Sequence, residues 1–77
     1  MRFTWDAKKA AANLAKHGVD FRDAIRIFDG KTIEWPDERF LYDEERWIAV
    51  GLNEEQEIFV VYCEEGEVSR RIISARK

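Results

Sequence analysis

The chain has 77 residues, the size of one small domain. Its formal net charge is −3, and its single cysteine, Cys63, excludes an intramolecular disulfide. The sequence contains no apolar run of the ~20 residues that a membrane-spanning helix needs and no segment typical of a signal peptide. We therefore expect one domain over residues 1–77, located in the cytoplasm.

The charges are strongly segregated along the chain. Residues 1–31 carry seven basic and four acidic side chains, residues 32–67 carry two basic and twelve acidic ones, and residues 68–77 carry four basic and none acidic. Such segregation is able to create one positive face on a protein of negative total charge, and an acidic face for a basic partner. The alternative is that the charges mix in space and are simply solvated.

The N-terminal part of the sequence predicts a strand followed by two helices. Residues 2–5 alternate polar and apolar side chains, as in a short strand. Asp6 is suited to cap a helix that ends at Lys16, His17 and Gly18. A second helix is expected from Asp20 to Asp29, where Gly30 follows. The apolar residues that recur at helical spacing are Ala7, Ala10, Ala11 and Leu14 in the first helix and Phe21, Ala24, Ile25 and Phe28 in the second.

The remaining sequence predicts strands separated by short polar turns, at residues 32–35, 46–52, 57–63 and 68–76. Pro36 closes the first of these strands, and residues 37–45 form an acidic loop. Residues 57–63 are apolar at both parities, which predicts a central strand covered on both faces. The expected fold class is α+β, with an N-terminal strand and two helices packed on an antiparallel meander.

Three groups of residues resemble, in order, the signatures of the BrnT toxin family. The first comprises Trp5-Asp6, Asn13, Lys16-His17-Gly18-Val19 and Phe21. The second runs from Asp43-Glu44-Glu45-Arg46-Trp47 to Val50-Gly51. The third is Arg71-Ile72-Ile73-Ser74-Ala75-Arg76-Lys77. Together the three groups extend over nearly the whole chain.

This resemblance implies a RelE-like fold and a ribonuclease that cleaves RNA without a metal or another cofactor. It also implies a ribbon-helix-helix antitoxin of the BrnA type, which neutralises the toxin and brings the complex to operator DNA. Relatives usually continue beyond the Ser-Ala-Arg segment into a C-terminal helix, whereas this sequence stops at Lys77.

Metal-free RNA cleavage directs attention to arginine. Attack of the 2′-hydroxyl on phosphorus requires proton transfer and a cation to offset charge on the phosphate oxygens, a role that suits the guanidinium fork. Strict alternation on the last strand places Arg70 and Arg76 on one face and Arg71 on the other, unless a bulge intervenes. The family motif favours Arg71 and Arg76 as catalytic residues, with Arg46 as a further candidate. Each arginine has the alternative of being a solvated surface charge.

His17 is the remaining catalytic candidate, because histidine is the side chain that ordinarily titrates nearest neutrality. Its alternative role is to bind the last carbonyls of the first helix. Lys9, Asn13 and Lys16 share a polar helix face with it, and together with Arg70 they are candidates for RNA binding. Less favoured candidates are Glu34 and Glu45 as bases, Tyr62 as a donor, and Trp5, Trp35 and Trp47 as base-stacking residues; packing in the core is the alternative for the aromatics.

Three functions are compatible with these patterns. The first is a ribonuclease toxin. The second is a module without catalytic activity that binds an antitoxin and acts in operon control. The third is an unrelated small α+β scaffold, against which the resemblance along the whole chain argues.

Overall fold

The computed structural model describes residues 1–39, 41 and 43–77. Its elements, in chain order, are β1 (Arg2–Thr4), α1 (Ala7–His17), α2 (Phe21–Ala24), a 3₁₀ helix (Ile25–Asp29), β2 (Ile33–Pro36), β3 (Trp47–Asn53), β4 (Gln56–Glu65) and β5 (Ser69–Arg76). Across these described ranges, no helix combines the length and the apolar character that crossing a membrane demands.

The strands form one sheet in the order β1-β5-β4-β3-β2. β2 to β5 pair as antiparallel neighbours, as the predicted meander requires. β1 pairs with β5 in parallel, with Phe3 opposite Arg70. The α+β class is therefore confirmed, but the sheet is mixed rather than antiparallel. The two helices carry the chain from β1 at one edge of the sheet to β2 at the other edge. The meander from β2 to β5 then returns, so the last strand lies beside the first.

The predicted caps of α1 are present. The Asp6 carboxylate accepts from the Lys9 amide at 3.0 Å, and Gly18 takes a left-handed conformation with φ of 72°. The expected buried face of α1 is wrong, however, since Leu14 is 47% exposed and Asn13 is buried. The helix is turned so that Asn13 meets the edge of β5, where its amide bonds to the strand backbone.

The second predicted helix is present but is not α-helical throughout. Asp20 caps it by accepting from the Arg22 amide at 2.8 Å, and the α-helical turn ends at Ala24. Residues Ile25–Asp29 continue as a 3₁₀ helix. Short 3₁₀ segments commonly tighten helix ends, and this one places Ile27 against β3, where a side chain on Gly51 would not fit.

The core lies on one face of the sheet only, which we call the covered face. Phe21, Ala24 and Ile27 pack there against residues from the three long strands: Ala49, Ile58, Val60, Tyr62, Ile72 and Ala75. Phe59 and Val61 of β4 point to the opposite face and are only half-buried. β4 is the central strand, as predicted, but both helical segments pack on the same side of it. Of its residues on the opposite face only Cys63 is buried, so the prediction that both faces are covered is wrong for most of the strand.

A β-bulge in β5 decides where its arginines point. Val61 pairs with Ser74 but Tyr62 pairs with Ile72, so Ile73 is an extra residue in β5. Strict alternation is interrupted there, and Ile72 and Ala75 both reach the core. Arg71 and Arg76 consequently share the opposite face, while Arg70 lies on the covered face.

Candidate active site

The sheet face opposite the helices, called here the open face, carries two cross-strand rows of side chains. One row is Trp35, Ile48, Val61 and Ser74, and the other is Ile33, Val50, Phe59 and Arg76. The solvated face of an antiparallel sheet is ordinarily polar. Apolar residues fill most of these two rows, so the open face has the composition of a binding surface.

The open-face cavity, of about 380 Å³, lies over the first row and over the Phe59 and Arg76 end of the second row. Its lining residues are His17, Trp35, Arg39, Ile48, Phe59, Val61, Ser74 and Arg76. Two of the four residues predicted to be catalytic, His17 and Arg76, therefore line one cavity although 58 positions separate them. Its volume lies within the range of small-ligand sites.

Asn13 brings His17 to this cavity. The Asn13 amide donates to the carbonyls of Val19 at 3.0 Å and Ala75 at 2.9 Å, and its oxygen accepts from the Ala75 amide at 3.1 Å. The Asn13 side chain thus bonds to both the carbonyl and the amide of Ala75, as a neighbouring strand would. Asn13 is 7% exposed and its amide group is bonded to backbone, which gives it a structural role; its predicted contact with RNA stays a prediction.

A shallower groove of about 230 Å³ adjoins the open-face cavity and shares His17 and Ser74 with it. Lys9 and Lys16 from α1 line this groove. The described residues that line the two spaces include four lysines or arginines and no aspartate or glutamate. This stretch of surface is suited to the phosphate backbone of a nucleic acid, despite the negative net charge of the chain.

Arg76 is held at the edge of the cavity by an aromatic ring. Its guanidinium carbon lies 5.8 Å from the centroid of the Phe59 ring, which is directly opposite on β4. A cation–π contact of this kind orients the guanidinium without neutralising its charge. The hydrogen-bond donors of Arg76 therefore suit an incoming phosphate.

Arg39 is a cavity residue that the sequence did not single out. It binds Asp37 through two parallel hydrogen bonds, of 2.7 and 2.9 Å, and the Asp37 side chain is fully buried. The Arg39 side chain itself is 51% exposed. Only the spacing Asp37-x-Arg39 in the predicted acidic loop hinted at this pair, and spacing alone does not place it beside β2.

Arg46 and Arg71, the other two predicted catalytic residues, are joined by Glu44. One carboxylate oxygen of Glu44 lies 3.5 Å from Arg46 and 3.2 Å from Arg71. Arg71 also lies 3.6 Å from Glu65. The structure thus separates the four catalytic candidates into two pairs, and acidic side chains neutralise this second pair.

Arg70, predicted to bind RNA, lies on the covered face and does not line the open-face cavity, so its contact with RNA stays a prediction. Its guanidinium sits 4.4 Å from the ring centroid of Tyr62 and 5.1 Å from that of Phe28. It pairs with Glu34 at 3.7 Å and Glu64 at 3.9 Å, and its side chain is 17% exposed. The extra residue at the bulge explains why it does not share the face of Arg76.

Glu34, considered as a base, belongs to this same cluster and not to the open-face cavity. Its carboxylate accepts hydrogen bonds from Tyr62 and Thr32. Partial burial acts to raise the pKa of Glu34, but these two hydrogen bonds and the charge of Arg70 outweigh it and hold the pKa below its ordinary value. Burial and the bond to Glu34 raise the pKa of Tyr62.

A third space, of about 470 Å³, is lined by residues from Pro36, at the end of β2, to Trp47, at the start of β3. It contains Glu45, the other residue considered as a base. Four carboxylates and one arginine line it, together with Pro36, Leu41 and Trp47. This lining repels phosphate, so it is a poorer nucleic-acid site than the open-face cavity. Within the described residues, no three His, Cys, Asp or Glu side chains are grouped to hold a metal ion.

The fold and the site define a small α+β protein with a basic, partly apolar cavity on an uncovered sheet face. The family model for the ribonuclease toxin BrnT of type II toxin–antitoxin systems matches residues 5–77. The chain belongs to this family, and as a type II toxin it pairs with an antitoxin.

A solved structure supports this assignment. The chain is similar to the crystal structure of the ribonuclease toxin BrnT of Brucella abortus, with a TM-score of 0.79 and 29% sequence identity. The match covers 99% of this chain and 94% of the Brucella chain. No protein of curated function matches the sequence.

Proposed function

We propose that this toxin cleaves RNA without a metal, by attack of a 2′-hydroxyl on the adjacent phosphorus in the open-face cavity. The observation that carries the proposal is the meeting of His17 and Arg76 in one cavity that no described carboxylate lines. Lys9 and Lys16 extend the basic surface along the adjoining groove and bind the RNA backbone there.

In this mechanism Arg76 binds two non-bridging phosphate oxygens and offsets the charge that develops on them. The 2′-oxygen loses its proton and bonds to phosphorus, the bond from phosphorus to the 5′-oxygen breaks, and that oxygen takes up a proton. His17 is the proton-transferring group among the cavity residues. The products are a 2′,3′-cyclic phosphate and a 5′-hydroxyl.

Arg46 and Arg71 have a supporting role in the proposal. Since Glu44 contacts both side chains, they fix the acidic segment before β3 beside β5. A phosphate at Arg71 competes with Glu44 and Glu65, which already contact its guanidinium. We therefore assign the larger contribution to catalysis to Arg76.

We propose that the mixed sheet with its helices on one face is RelE-like, and that the antitoxin is a BrnA-like ribbon-helix-helix protein. The antitoxin then provides all contacts to operator DNA. The resemblance of the three residue groups described above supports both points.

The test is cleavage of a defined single-stranded RNA by the purified chain in EDTA. We expect 2′,3′-cyclic phosphate ends, and resistance wherever a single 2′-deoxy nucleotide replaces the nucleophile. His17→Gln should lower kcat by about 10²- to 10⁴-fold with little change in KM. Dependence on a divalent cation, or 5′-phosphate products, would contradict the mechanism. Inactivity of a folded chain would favour the alternative of an antitoxin-binding module.

A further inference from the structure

Building on the proposed ribonuclease function, we propose that Trp35 is the residue on which a nucleobase of the RNA stacks. In this arrangement Arg76 and His17 hold the phosphate at one end of the open-face cavity. The adjoining base lies over Ile48 and Val61 against the indole.

The positions of these residues fit a nucleotide. Trp35, Ile48, Val61 and Ser74 form one row across β2, β3, β4 and β5. Three strand spacings separate the two ends of the row, or about 14 Å between backbones. Trp35 and Arg76 both line the cavity, so their side chains reach into the space between these backbones. The cavity thus has an aromatic end and a cationic end.

Among the aromatic residues that the structure describes, Trp35 is exposed at the open-face cavity and packs against no other ring. Trp5 packs edge-on against Phe21 at 5.9 Å, and Trp47 packs against the core. The Phe59 ring carries the Arg76 guanidinium. Trp35 is 37% exposed as a residue and contacts no other ring within residues 1–39, 41 and 43–77.

The combination of an aromatic wall, an aliphatic floor and a cationic end selects one class of ligand. A simple anion needs only the cationic end, and an apolar peptide needs only the floor and the indole. A single-stranded nucleotide uses all three parts, since its base presents a flat π-face and its phosphate is anionic. Stacking of this kind tolerates different bases, so the site should accept several sequences.

Binding of a 2′-O-methyl oligoadenylate tests this role separately from cleavage, because the modified sugar has no nucleophile. We expect this RNA to quench the tryptophan fluorescence of the wild-type chain. Trp35→Phe should keep most of the affinity but lose the quenching. Trp35→Ala should weaken binding roughly tenfold or more, while the affinity for an abasic oligomer with the same backbone hardly changes.

Ile33→Ala is the matched control. Ile33 lies on the same strand and face, is 70% exposed and does not line the open-face cavity. The control should bind oligoadenylate like the wild type, and circular dichroism should show that all variants are folded.

Unchanged oligoadenylate affinity in folded Trp35→Ala would overturn the stacking role, even if that variant still cleaves RNA. Loss of antitoxin binding in Trp35→Ala without loss of RNA affinity would also overturn it and assign Trp35 to a protein interface. A wild-type chain that shows the predicted base-dependent binding but does not cleave RNA would support stacking and contradict only the ribonuclease mechanism.

Discussion

Arg70 and Arg76 are both arginines of β5, yet their surroundings differ. Arg70 is enclosed by two aromatic rings and two carboxylates on the covered face. Arg76 has one aromatic contact and lines a cavity without described carboxylates. A cation that is already paired gains little from a phosphate, whereas a cation held by a ring keeps its full charge for one. The neighbours of each arginine therefore distinguish the structural environment of Arg70 from the catalytic role proposed for Arg76.

The cluster of Glu34, Tyr62 and Arg70 predicts a defined pH dependence of stability. Because the folded-state pKa of Glu34 is lowered, its contribution is complete above its ordinary value of 4.5 and is lost as the pH falls through the lowered pKa. Tyr62→Phe removes the hydrogen bond to Glu34 and should lower the free energy of unfolding by about 1–2 kcal/mol near neutral pH. Urea denaturation from about pH 7 to about pH 3 measures both effects.

Glu34→Gln provides the comparison for this experiment, since glutamine cannot titrate. Its stability should fall less steeply with acid than that of the wild type. Identical pH profiles for Glu34→Gln and the wild type would show that this carboxylate is not linked to folding.

At the level of elements, the sequence predicts well what is determined by near neighbours. Asp6, Gly18 and Asp20 cap helices as expected, because each cap needs only the amides and carbonyls of the adjoining turn. The orientation of α1 and the bulge at Ile73 were not predictable in this way. The orientation of α1 depends on the bonds from Asn13 to β5, about 60 residues away, and the bulge depends on the pairing of β5 with β4. Strict alternation along β5 gives no sign of either.

In the candidate site, too, the sequence indicates residue types but not all of the contacts between distant segments. The residue types required by the chemistry and the family motif brought out His17 and Arg76, and the structure places them together. Arg39 was missed because its position depends on the buried Asp37 and on the pairing of β2 with β3. The burial of Asn13 was not predicted, because a polar residue on a polar helix face has the pattern of a solvated one.

The contact between Asn13 and β5 should contribute to the stability of the fold. Asn13→Ala leaves the amide of Ala75 and the carbonyls of Val19 and Ala75 without their partner. We expect the free energy of unfolding to fall by about 2–3 kcal/mol, measured by urea denaturation. Lys9→Ala on the exposed side of α1 should leave stability nearly unchanged. An equal effect of the two substitutions would contradict the structural role of Asn13.

The packing of the 3₁₀ helix on β3 predicts that Gly51 tolerates no side chain. A Cβ atom at this position would lie 2.9 Å from the Ile27 Cβ and 3.1 Å from the Thr32 Cγ2. Gly51→Ala should therefore lower the free energy of unfolding by about 1–3 kcal/mol, a cost typical of overpacking. Gly30→Ala, where an added Cβ meets no atom within 4 Å, is the control for thermal denaturation. Equal melting temperatures for the two variants would rule out the close approach.

For the whole molecule, the distribution of charge matters more than its sum. The chain is acidic overall, with a net charge of −3, yet four lysines or arginines and no described carboxylate line the open-face cavity and its adjoining groove. The acidic side chains gather elsewhere, as in the space that contains Glu45. Folding thus converts segregation along the sequence into separate basic and acidic surfaces.

This separation predicts the salt dependence of RNA binding. If Lys9, Lys16 and Arg76 each meet a phosphate while Arg39 stays bound to Asp37, the logarithm of the affinity should fall with the logarithm of salt concentration with a slope of about −2 for single-stranded RNA. Lys9→Ala or Lys16→Ala should each make the slope shallower by about 0.7, whereas Lys31→Ala, outside both spaces, should not. Titrations between about 50 and about 200 mM salt measure the slope, and a value near zero would exclude backbone contacts on this surface.

A comparison of two arginine variants tests whether RNA is cleaved in the open-face cavity. Single-turnover cleavage of one RNA in EDTA is measured for the wild type, Arg76→Ala and Arg26→Ala. Arg26 is an exposed residue of the 3₁₀ helix, which packs on the covered face, so its loss removes the same charge away from the cavity. We predict that Arg76→Ala slows cleavage by about 100-fold or more and that Arg26→Ala keeps the wild-type rate. Cleavage by folded Arg76→Ala at the wild-type rate would contradict this account.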